Sequence, residues 1–326
     1  MKKRELGAGG FRIGEVGLGC WQFGGDFGPM AAQTAQTILE TAVENGIDFF
    51  DTADVYGDGR SERLIGQFLA ACHQPITVAT KFGRGANVYP DAYTPEALRA
   101  SASASIERLG VEAIDLLQLH CIPKAVLRRG EIFDWLREIK AEGMIRHFGA
   151  SVESVEEALI CLEQEGLLSL QVIFNIFRQK LITELFPRAQ KRGVGIIVRL
   201  PLASGLLSGK FDRQTRFAET DHRHFNRDGQ QFNVGETFAG LPFEKGVELA
   251  DALKADLPEG MTMAQMALRW ILDHEAVSVI IPGASSPAQA AANAAASGMA
   301  PLADQTHAKF SDFYKREVSP HIRGPY

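Results

Sequence analysis

The chain has 326 residues, of which 45% are hydrophobic and 23% are charged, values close to those of an average globular protein. Its formal net charge of −6 argues against a surface that binds nucleic acid. No apolar run approaches the roughly 20 residues of a membrane-spanning helix, and the first residues carry no apolar signal segment. Four widely separated cysteines without a CxxC pair indicate buried thiols in a cytoplasmic protein.

Eight apolar runs rich in β-branched residues recur along the chain, and most of them start about 30 residues apart, the length of one strand–helix unit. Because these runs are continuously apolar and not alternating, they are typical of parallel strands buried on both faces. Segments with helical spacing lie between them, and one of these begins with the capping residue Thr94 followed by Pro95. The eight predicted strands are residues 16–21, 47–52, 76–81, 114–120, 145–151, 170–177, 194–200 and 277–282.

This rhythm predicts an α/β fold, a (β/α)8 TIM barrel that forms a single domain over residues 1–326. Residues 3–17 are predicted to form a β-hairpin ahead of the first barrel strand, turned at Gly9 and Gly10. The competing architecture is a doubly wound dinucleotide-binding sheet, but its glycine fingerprint is absent because Arg12 stands where the third glycine belongs. A long polar loop, residues 210–241, follows the seventh strand and predicts a functional lid near a phosphate-binding region.

Four groups that can carry protons lie at the ends of successive predicted strands. Asp51 is at the end of the second strand with Tyr56 just beyond it, Lys81 ends the third, and His120 ends the fourth. The carboxyl ends of barrel strands share one face, and neighbouring strands are about 4.8 Å apart, so we expect the four side chains to meet. Each residue alone has an ordinary explanation as a surface cap, a turn or a core histidine. Their joint occurrence favours a catalytic role.

The expected chemistry is protonation of an oxyanion that forms at a carbonyl carbon. An ammonium beside a phenol favours the phenolate, so Lys81 is expected to lower the pKa of Tyr56. Asp51 would hold Lys81 in place, and His120 would orient the carbonyl oxygen. The set lacks a nucleophile–base pair, so acyl or glycosyl transfer fits poorly. Reduction of a carbonyl by this set needs an external hydride donor.

Several motifs follow one known pattern: Phe50-Asp51-Thr52-Ala53 with Tyr56-Gly57, Thr80-Lys81-Phe82-Gly83, Leu119-His120, Gly149-Ala150-Ser151, Gln171 with Asn175, the run from Pro201 to Lys210, and Ile281-Pro282-Gly283-Ala284. In these motifs the chain resembles an aldo-keto reductase over essentially its whole length. The resemblance implies a barrel with a nicotinamide cofactor across its strand ends, NADP(H) being usual and NAD(H) the alternative. It also implies that Asp51, Tyr56, Lys81 and His120 form a tetrad in which Tyr56 is the general acid.

The resemblance further implies where the cofactor is held. Cys20 and Trp21 would border the nicotinamide, Ser151 and Gln171 would bind its carboxamide, the 201–210 run would hold the pyrophosphate, and the 283–293 segment would surround the adenosine. The predicted cofactor residues are Cys20, Trp21, Asp51, Ser151, Gln171, Arg199, Pro201, Leu202, Ser204, Gly205, Leu206, Ser208, Lys210, Arg223, Gly283, Ala284, Ser285, Gln289 and Asn293. The predicted substrate pocket comprises Trp21, Phe27, Tyr56, His120, Lys124 and Arg128, unless the last two belong to a solvated face.

Two positions depart from the family pattern. Arg199 stands where many relatives stack an aromatic ring on the nicotinamide, and its planar guanidinium could cover the same face. Gly283, Ser285 and Gln289 are neutral where NADP-preferring relatives place cations for the 2′-phosphate. Arg223, in the long loop, is the candidate to supply the missing charge, and NAD use stays open.

The predicted activity is reduction of an aldehyde, ketone or sugar carbonyl, with sugar or alcohol dehydrogenation in the opposite direction as the alternative. A second alternative is a cofactor-binding regulatory subunit with little turnover, made less attractive by the absence of an extension before the hairpin. A metal-dependent barrel hydrolase would need His and Asp clusters at several strand ends, and no metal site is predicted, His222 and His224 included. The expected partner is a small-molecule carbonyl or sugar substrate, without nucleic acid or membrane, and the expected state is a monomer or small homo-oligomer.

Overall fold

The computed structural model describes residues 1–326 and contains ten β-strands in two sheets. Two strands form an antiparallel hairpin, and eight form one parallel sheet in which sequential strands are neighbours. The strands are β1 (Lys3–Glu5), β2 (Arg12–Gly14), β3 (Leu18–Gly19), β4 (Phe49–Asp51), β5 (Thr77–Phe82), β6 (Ile114–His120), β7 (Ile145–Ser151), β8 (Leu167–Ile173), β9 (Gly195–Arg199) and β10 (Val277–Ile280).

The parallel sheet runs from β3 to β10 and closes on itself between its first and last strands. Parallel bridges join Val16 to Ile280 and Gly19 to Gly283. The Gly17 amide donates to the Ile280 carbonyl at 2.8 Å, which continues the ladder across the seam. Closure leaves no unpaired sheet edge. The predicted (β/α)8 barrel with an N-terminal hairpin is confirmed.

Helices alternate with the barrel strands and cover the outside of the sheet, as parallel strands with right-handed crossovers require. Local capping fixes several helix starts: Thr94 accepts from the Ala97 amide, and Ser154 and Glu157 form a capping box. The helices are α1 (Ala32–Glu44), α2 (Arg60–Ala71), α3 (Pro95–Leu109), α4 (Lys124–Arg129), α5 (Glu131–Ala141), α6 (Val155–Leu162), α7 (Leu181–Glu184), α8 (Phe186–Arg192), α9 (His222–Phe225), α10 (Phe243–Leu253), α11 (Met263–Leu272), α12 (Pro287–Ala295) and α13 (Asp304–Phe313). No helix combines the length and apolarity that crossing a bilayer requires.

The inside of the barrel changes character along its axis. At the amino end, a small apolar cluster includes Phe49, Ala79 and Leu116, and the hairpin residues Leu6 and Ile13 pack onto it as a plug. Side chains two residues further along a strand lie on the same face. The positions that follow Phe49, Ala79 and Leu116 at this spacing are Asp51, Lys81 and Gln118. The same inward face is therefore apolar at the closed end and polar at the open end.

The observed strand bounds differ from the predicted ones mainly at β3 and β8. Strand β3 is limited to two residues, and β8 begins three residues earlier than the 170–177 run suggested. The residues that follow β8 form a turn in which the Asn175 carbonyl accepts from the Arg178 amide. Hydrophobicity alone could not place that boundary, because residues 174, 176 and 177 are apolar and buried although they lie outside the strand.

The long loop, residues 210–241, contains α9 and two short 3-10 helices, Val234–Glu236 and Phe238–Gly240, and a third 3-10 helix, Ala203–Ser208, precedes it. Its far end is fastened by Arg323, which donates to the carbonyls of Gly240 and Leu241 and pairs with Asp228 at 2.7 Å. The loop is therefore tied to the C-terminal segment of the chain.

Replacement of Gly17 with alanine is expected to destabilise the barrel seam. A Cβ at this position would lie 2.8 Å from the Phe49 carbonyl oxygen and 2.9 Å from its ring, closer than packed atoms allow. Overpacking of this kind costs about 1–3 kcal/mol. Urea unfolding would measure the loss, with Gly298→Ala as the control because no atom lies within 4 Å of its added Cβ. Equal midpoints for the two variants would contradict the expectation.

Candidate active site

The four proton-carrying residues meet at the open end of the barrel. The Lys81 Nζ donates to Asp51 Oδ1 at 2.5 Å and to the Thr52 carbonyl at 2.7 Å. The same nitrogen lies 3.3 Å from the Tyr56 hydroxyl. The ring of His120 stands edge-on to the Tyr56 ring with centroids 5.9 Å apart. One ammonium thus contacts both the carboxylate and the phenol, and the imidazole stands beside the phenol.

The second oxygen of Asp51 is also bonded. Gln171 Nε2 donates to Asp51 Oδ2 at 2.6 Å, and Gln118 Nε2 donates to it at 3.0 Å. Ser151 Oγ in turn lies 3.4 Å from Gln171 Oε1. Gln171 and Ser151, predicted to bind a carboxamide, here connect to the Asp51 carboxylate as well.

Burial controls the protonation of the site. It raises the pKa of Tyr56 to about 12, although the Lys81 ammonium acts in the opposite direction. The lowered Tyr56 pKa expected from the sequence is therefore wrong for this structure, because desolvation outweighs the neighbouring charge. Burial would lower the pKa of Lys81, but Asp51 and Tyr56 raise it above its usual value. Burial and three nearby cations hold the pKa of His120 well below its usual value, so Tyr56 and His120 are neutral and Lys81 is charged at pH 7.

A cavity of about 570 Å³ opens above these residues. The predicted residues that line it come from six strands, or from the segments that follow them, and from the long loop. They are Cys20, Trp21, Phe27, Asp51, Tyr56, His120, Gln171, Arg199, Pro201, Leu202, Ser204, Gly205, Ser208, Lys210, Arg223, Gly283, Ser285, Gln289 and Asn293.

The other predicted residues lie outside the wall of this cavity. Lys81 is beneath the floor, in contact with Tyr56, and Leu206 and Ala284 are buried in the surrounding core. Lys124 and Arg128 lie on α4, where both pair with Glu156 at 2.7 and 2.8 Å on an exposed surface. The structure therefore places these two cations on a solvated face and away from the cavity.

The long loop docks on the segment that follows β3 and forms a wall of the cavity. Asp26 accepts from Trp21 Nε1 at 2.6 Å, and its carbonyl accepts from the His222 amide at 2.8 Å. The rings of Trp21 and His222 are 4.6 Å apart, and Phe232 packs nearby. Burial lowers the pKa of His222 to about 4, so an uncharged ring occupies this apolar junction at neutral pH.

Arg223 is held in place over the cavity. Its Nε and one terminal nitrogen donate to the two oxygens of Asp221 at 2.9 and 2.6 Å. The other terminal nitrogen would lie 3.7 Å from a Cβ built on Gly205. Gly205 itself adopts φ of +100°, and Ser204 before it adopts +54°, so the chain turns sharply below the guanidinium. This leaves a backbone cradle with a fixed cation above it.

The wall of the cavity formed by the residues that follow β10 is neutral. Gln289 Oε1 accepts from the Ser285 amide at 2.7 Å, and Asn293 Nδ2 donates to the Gly283 carbonyl at 3.2 Å. The amide of Gln22 fills the space that a side chain at position 283 would need. Gln22 Oε1 is buried without a hydrogen-bond partner. The missing Cβ of Gly283 thus makes room for another side chain of this protein.

Comparisons with known proteins agree with this arrangement. The family model described as Aldo/keto reductase family matches residues 15–315. The chain belongs to the aldo/keto reductase family. Uncharacterized oxidoreductase YqkF of Bacillus subtilis (strain 168) is 30% identical, covering 98% of this chain and 100% of that protein. NADH-specific methylglyoxal reductase of Escherichia coli (strain K12) is 28% identical over 91% of this chain and 93% of that protein.

Among solved structures, the glycerol dehydrogenase AKR11B4 from Gluconobacter oxydans superposes with a TM-score of 0.79. It is 28% identical, and the alignment covers 99% of this chain and 98% of that one. This aldo/keto reductase therefore shares its barrel fold with the glycerol dehydrogenase over nearly the whole length of both chains.

Several residues of the site were not predicted: Gln22, Arg84 and Glu236 line the cavity, and Gln118 contacts Asp51. Gln118 could have been found, because it precedes His120 by two positions and so faces the same side of β6. Gln22 and Arg84 follow strand ends but belong to none of the family motifs in this sequence. Glu236 lies within the polar loop, where periodicity gives no signal, and its place beside Arg84 depends on the tertiary fold.

Replacement of Lys81 with methionine is expected to destabilise the fold, because it leaves the Asp51 carboxylate buried without its counter-ion. Breaking a buried pair costs about 3–5 kcal/mol. The double variant with Asp51→Asn should recover part of that loss, since both charges are then removed. Urea unfolding of the single and double variants would measure this. Lys124→Met, which breaks an exposed pair worth less than about 1 kcal/mol, is the control. Similar losses for Lys81→Met and Lys124→Met would contradict the assignment.

Proposed function

We propose that the protein is an NAD(P)(H)-dependent oxidoreductase that reduces an aldehyde, ketone or sugar carbonyl to the alcohol, with Tyr56 as general acid. The observation that carries this proposal is that one atom, Lys81 Nζ, contacts both the Asp51 carboxylate and the Tyr56 hydroxyl. These groups lie at the base of a cavity that His120 also lines.

A bound nicotinamide would supply the hydride to the carbonyl carbon. Tyr56, protonated at neutral pH, donates its proton to the carbonyl oxygen as negative charge develops there. Lys81 then stabilises the phenolate, and Asp51 keeps Lys81 charged throughout. His120 is neutral and carries one N–H, which can donate to the same oxygen and fix its position. Its Nδ1 is buried without a partner, so the ring is not committed to another contact at that atom.

The residues present fit a nicotinamide cofactor. The cradle at Ser204 and Gly205 lets backbone N–H groups approach a phosphate closely, as glycine-rich turns do. Lys210 and Arg223 add positive charge beside it. Cys20, Trp21 and Arg199 would border the nicotinamide, and Ser285, Gln289 and Asn293 would hold the adenosine. Because the residues proposed to surround the adenosine are neutral, Arg223 is the proposed contact for a 2′-phosphate. NADP(H) use would then depend on one arginine of the long loop.

Oxidation of an alcohol is the second candidate, because the similar solved structure is a glycerol dehydrogenase. The same groups serve both directions. In oxidation, a Tyr56 phenolate stabilised by Lys81 would accept the proton of the substrate hydroxyl. Rates measured in both directions with each cofactor would rank the two.

Substitution of Tyr56 with phenylalanine is expected to lower kcat for carbonyl reduction by about 100-fold or more, the range attributed to general acid catalysis. Cofactor binding, followed by quenching of intrinsic fluorescence, should persist because the ring stays in place. Tyr314→Phe removes a phenol that bonds to Tyr326, away from the cavity, and serves as the matched control.

Wild-type turnover too slow to measure, with cofactor still bound tightly, would overturn the enzymatic proposal and favour a cofactor-binding subunit. Unchanged kcat in Tyr56→Phe would instead retain the reductase and remove Tyr56 as its acid.

Substitution of Arg223 with alanine is expected to weaken NADPH binding about tenfold or more, the effect of losing a hydrogen bond to a charged group. NADH binding should weaken less, because NADH lacks the 2′-phosphate. Dissociation constants from fluorescence quenching would measure both. Arg213→Ala, in the same loop but 70% exposed and paired with Glu248, is the control. An equal loss for the two cofactors would place the contact at the pyrophosphate.

A further inference from the structure

A charged cluster that the proposed proton chemistry does not use borders the catalytic end of the cavity. Arg84 donates to both oxygens of Glu236 at 2.6 and 3.2 Å, and to Glu153 at 2.8 Å. Arg199 lies 3.6 Å from Glu236 Oε1, the oxygen that Arg84 contacts at 2.6 Å, and donates to the Val152 carbonyl at 3.3 Å. Arg84, Arg199 and Glu236 all line the cavity.

The cluster lies beside the reacting groups. Arg84 follows Gly83, and a Cβ built on Gly83 would lie 3.8 Å from the His120 amide nitrogen. Arg84 also stands over the Phe232 ring, which packs near Trp21. The fields of Arg84 and Arg199 contribute to the low pKa of His120. A substrate whose carbonyl contacts Tyr56 and His120 would therefore have Arg84 and Glu236 beside it in the cavity wall.

The two arginines of the cluster are offset by Glu236 and partly by Glu153, whose pKa is raised to about 7 by burial and by Glu236. Two free arginines would select an anionic substrate, but each guanidinium here already has a carboxylate partner. Burial opposes ionisation of Glu236, yet Arg84 and Arg199 hold its pKa below the usual range. A substrate carboxylate would have to compete with Glu236, which is 3% exposed and bonded through both oxygens.

A neutralised pair offers a different kind of contact. Guanidinium N–H groups donate and carboxylate oxygens accept, and a hydroxyl group can do both at once. The Nε of Arg199 is buried and has no partner, so at least one donor of the cluster is unused. Plain alkyl or aryl groups placed here would leave such groups without hydrogen bonds, which is costly in a buried site.

We infer that the Arg84–Glu236 pair recognises a hydroxyl group of the substrate, and that this pair makes the enzyme prefer hydroxylated carbonyl compounds to their plain analogues. This inference rests on the proposed carbonyl reductase function and specifies its substrate. A site that bonds a substrate hydroxyl discriminates strongly against the analogue that lacks it.

The test compares kcat/KM for glyceraldehyde with kcat/KM for propanal, which has the same carbon chain without hydroxyls. The two aldehydes differ in intrinsic reactivity, so the decisive quantity is how their ratio changes between wild type and variant. Glu236→Gln keeps the shape and removes the charge. It is expected to reduce the glyceraldehyde-to-propanal ratio by about tenfold, the effect of one charged hydrogen bond.

Glu156→Gln is the matched control, since Glu156 also bridges two cations, Lys124 and Arg128, but on an exposed surface. Its ratio should equal that of wild type. Arg84→Lys is the second variant: it keeps the charge and loses the fork, and it should lower the ratio as well. The NADPH affinity of each variant, measured by fluorescence quenching, shows whether the cavity is still assembled. If Glu236→Gln no longer binds NADPH, the ratio measured for Arg84→Lys is the deciding result.

A ratio unchanged in both Glu236→Gln and Arg84→Lys, with NADPH binding intact, would overturn the inference while leaving carbonyl reduction standing. A wild-type enzyme that reduces neither aldehyde, nor any other carbonyl compound, would instead remove the proposed function on which the inference rests. A wild-type ratio that favours propanal and rises further in the variants would also contradict hydroxyl recognition.

Discussion

The buried ion pair of Lys81 and Asp51 is the constraint on which the rest of the site depends. Both side chains are almost fully inaccessible, with 1% and 4% exposure. Removing two charges from water is unfavourable unless every remaining oxygen and hydrogen finds a partner. Here the partners are Thr52 in the turn after β4, Gln118 in β6 and Gln171 in β8. The pair is therefore stable only inside a closed barrel, and barrel closure is what positions the phenol above it.

The apolar-to-polar gradient along the barrel axis explains why one end carries the chemistry. The hairpin plug excludes water at the amino end, where the inward positions are apolar. At the open end the inward positions are polar, and the long loop supplies the missing cover. Polar contacts such as Glu236 with Arg84 hold that cover in place. Because the same two residues line the cavity, the contact that attaches the loop also sets the charge of the cavity wall.

Much of this arrangement could be predicted from the sequence because it repeats. Strand periodicity predicted eight strands, and β6 and β7 have the predicted bounds. The meeting of Asp51, Lys81 and His120 followed from their positions at strand ends. The direction of the Tyr56 pKa could not be predicted, since it depends on how completely the phenol is buried. The roles of Glu236 and Gln22 were also out of reach, because their partners are set by loop packing that leaves no periodic signal.

The packing of Gln22 against Gly283 has a consequence for how this protein can evolve. A side chain introduced at position 283 must evict the Gln22 amide, so the effect of a mutation at one position depends on the residue at the other. Such epistasis orders the mutational route to a cation at this end of the cavity: a smaller residue at position 22 must come first, or arrive together with the change at 283. Two positions separated by more than 250 residues in the sequence thus behave as one evolutionary unit.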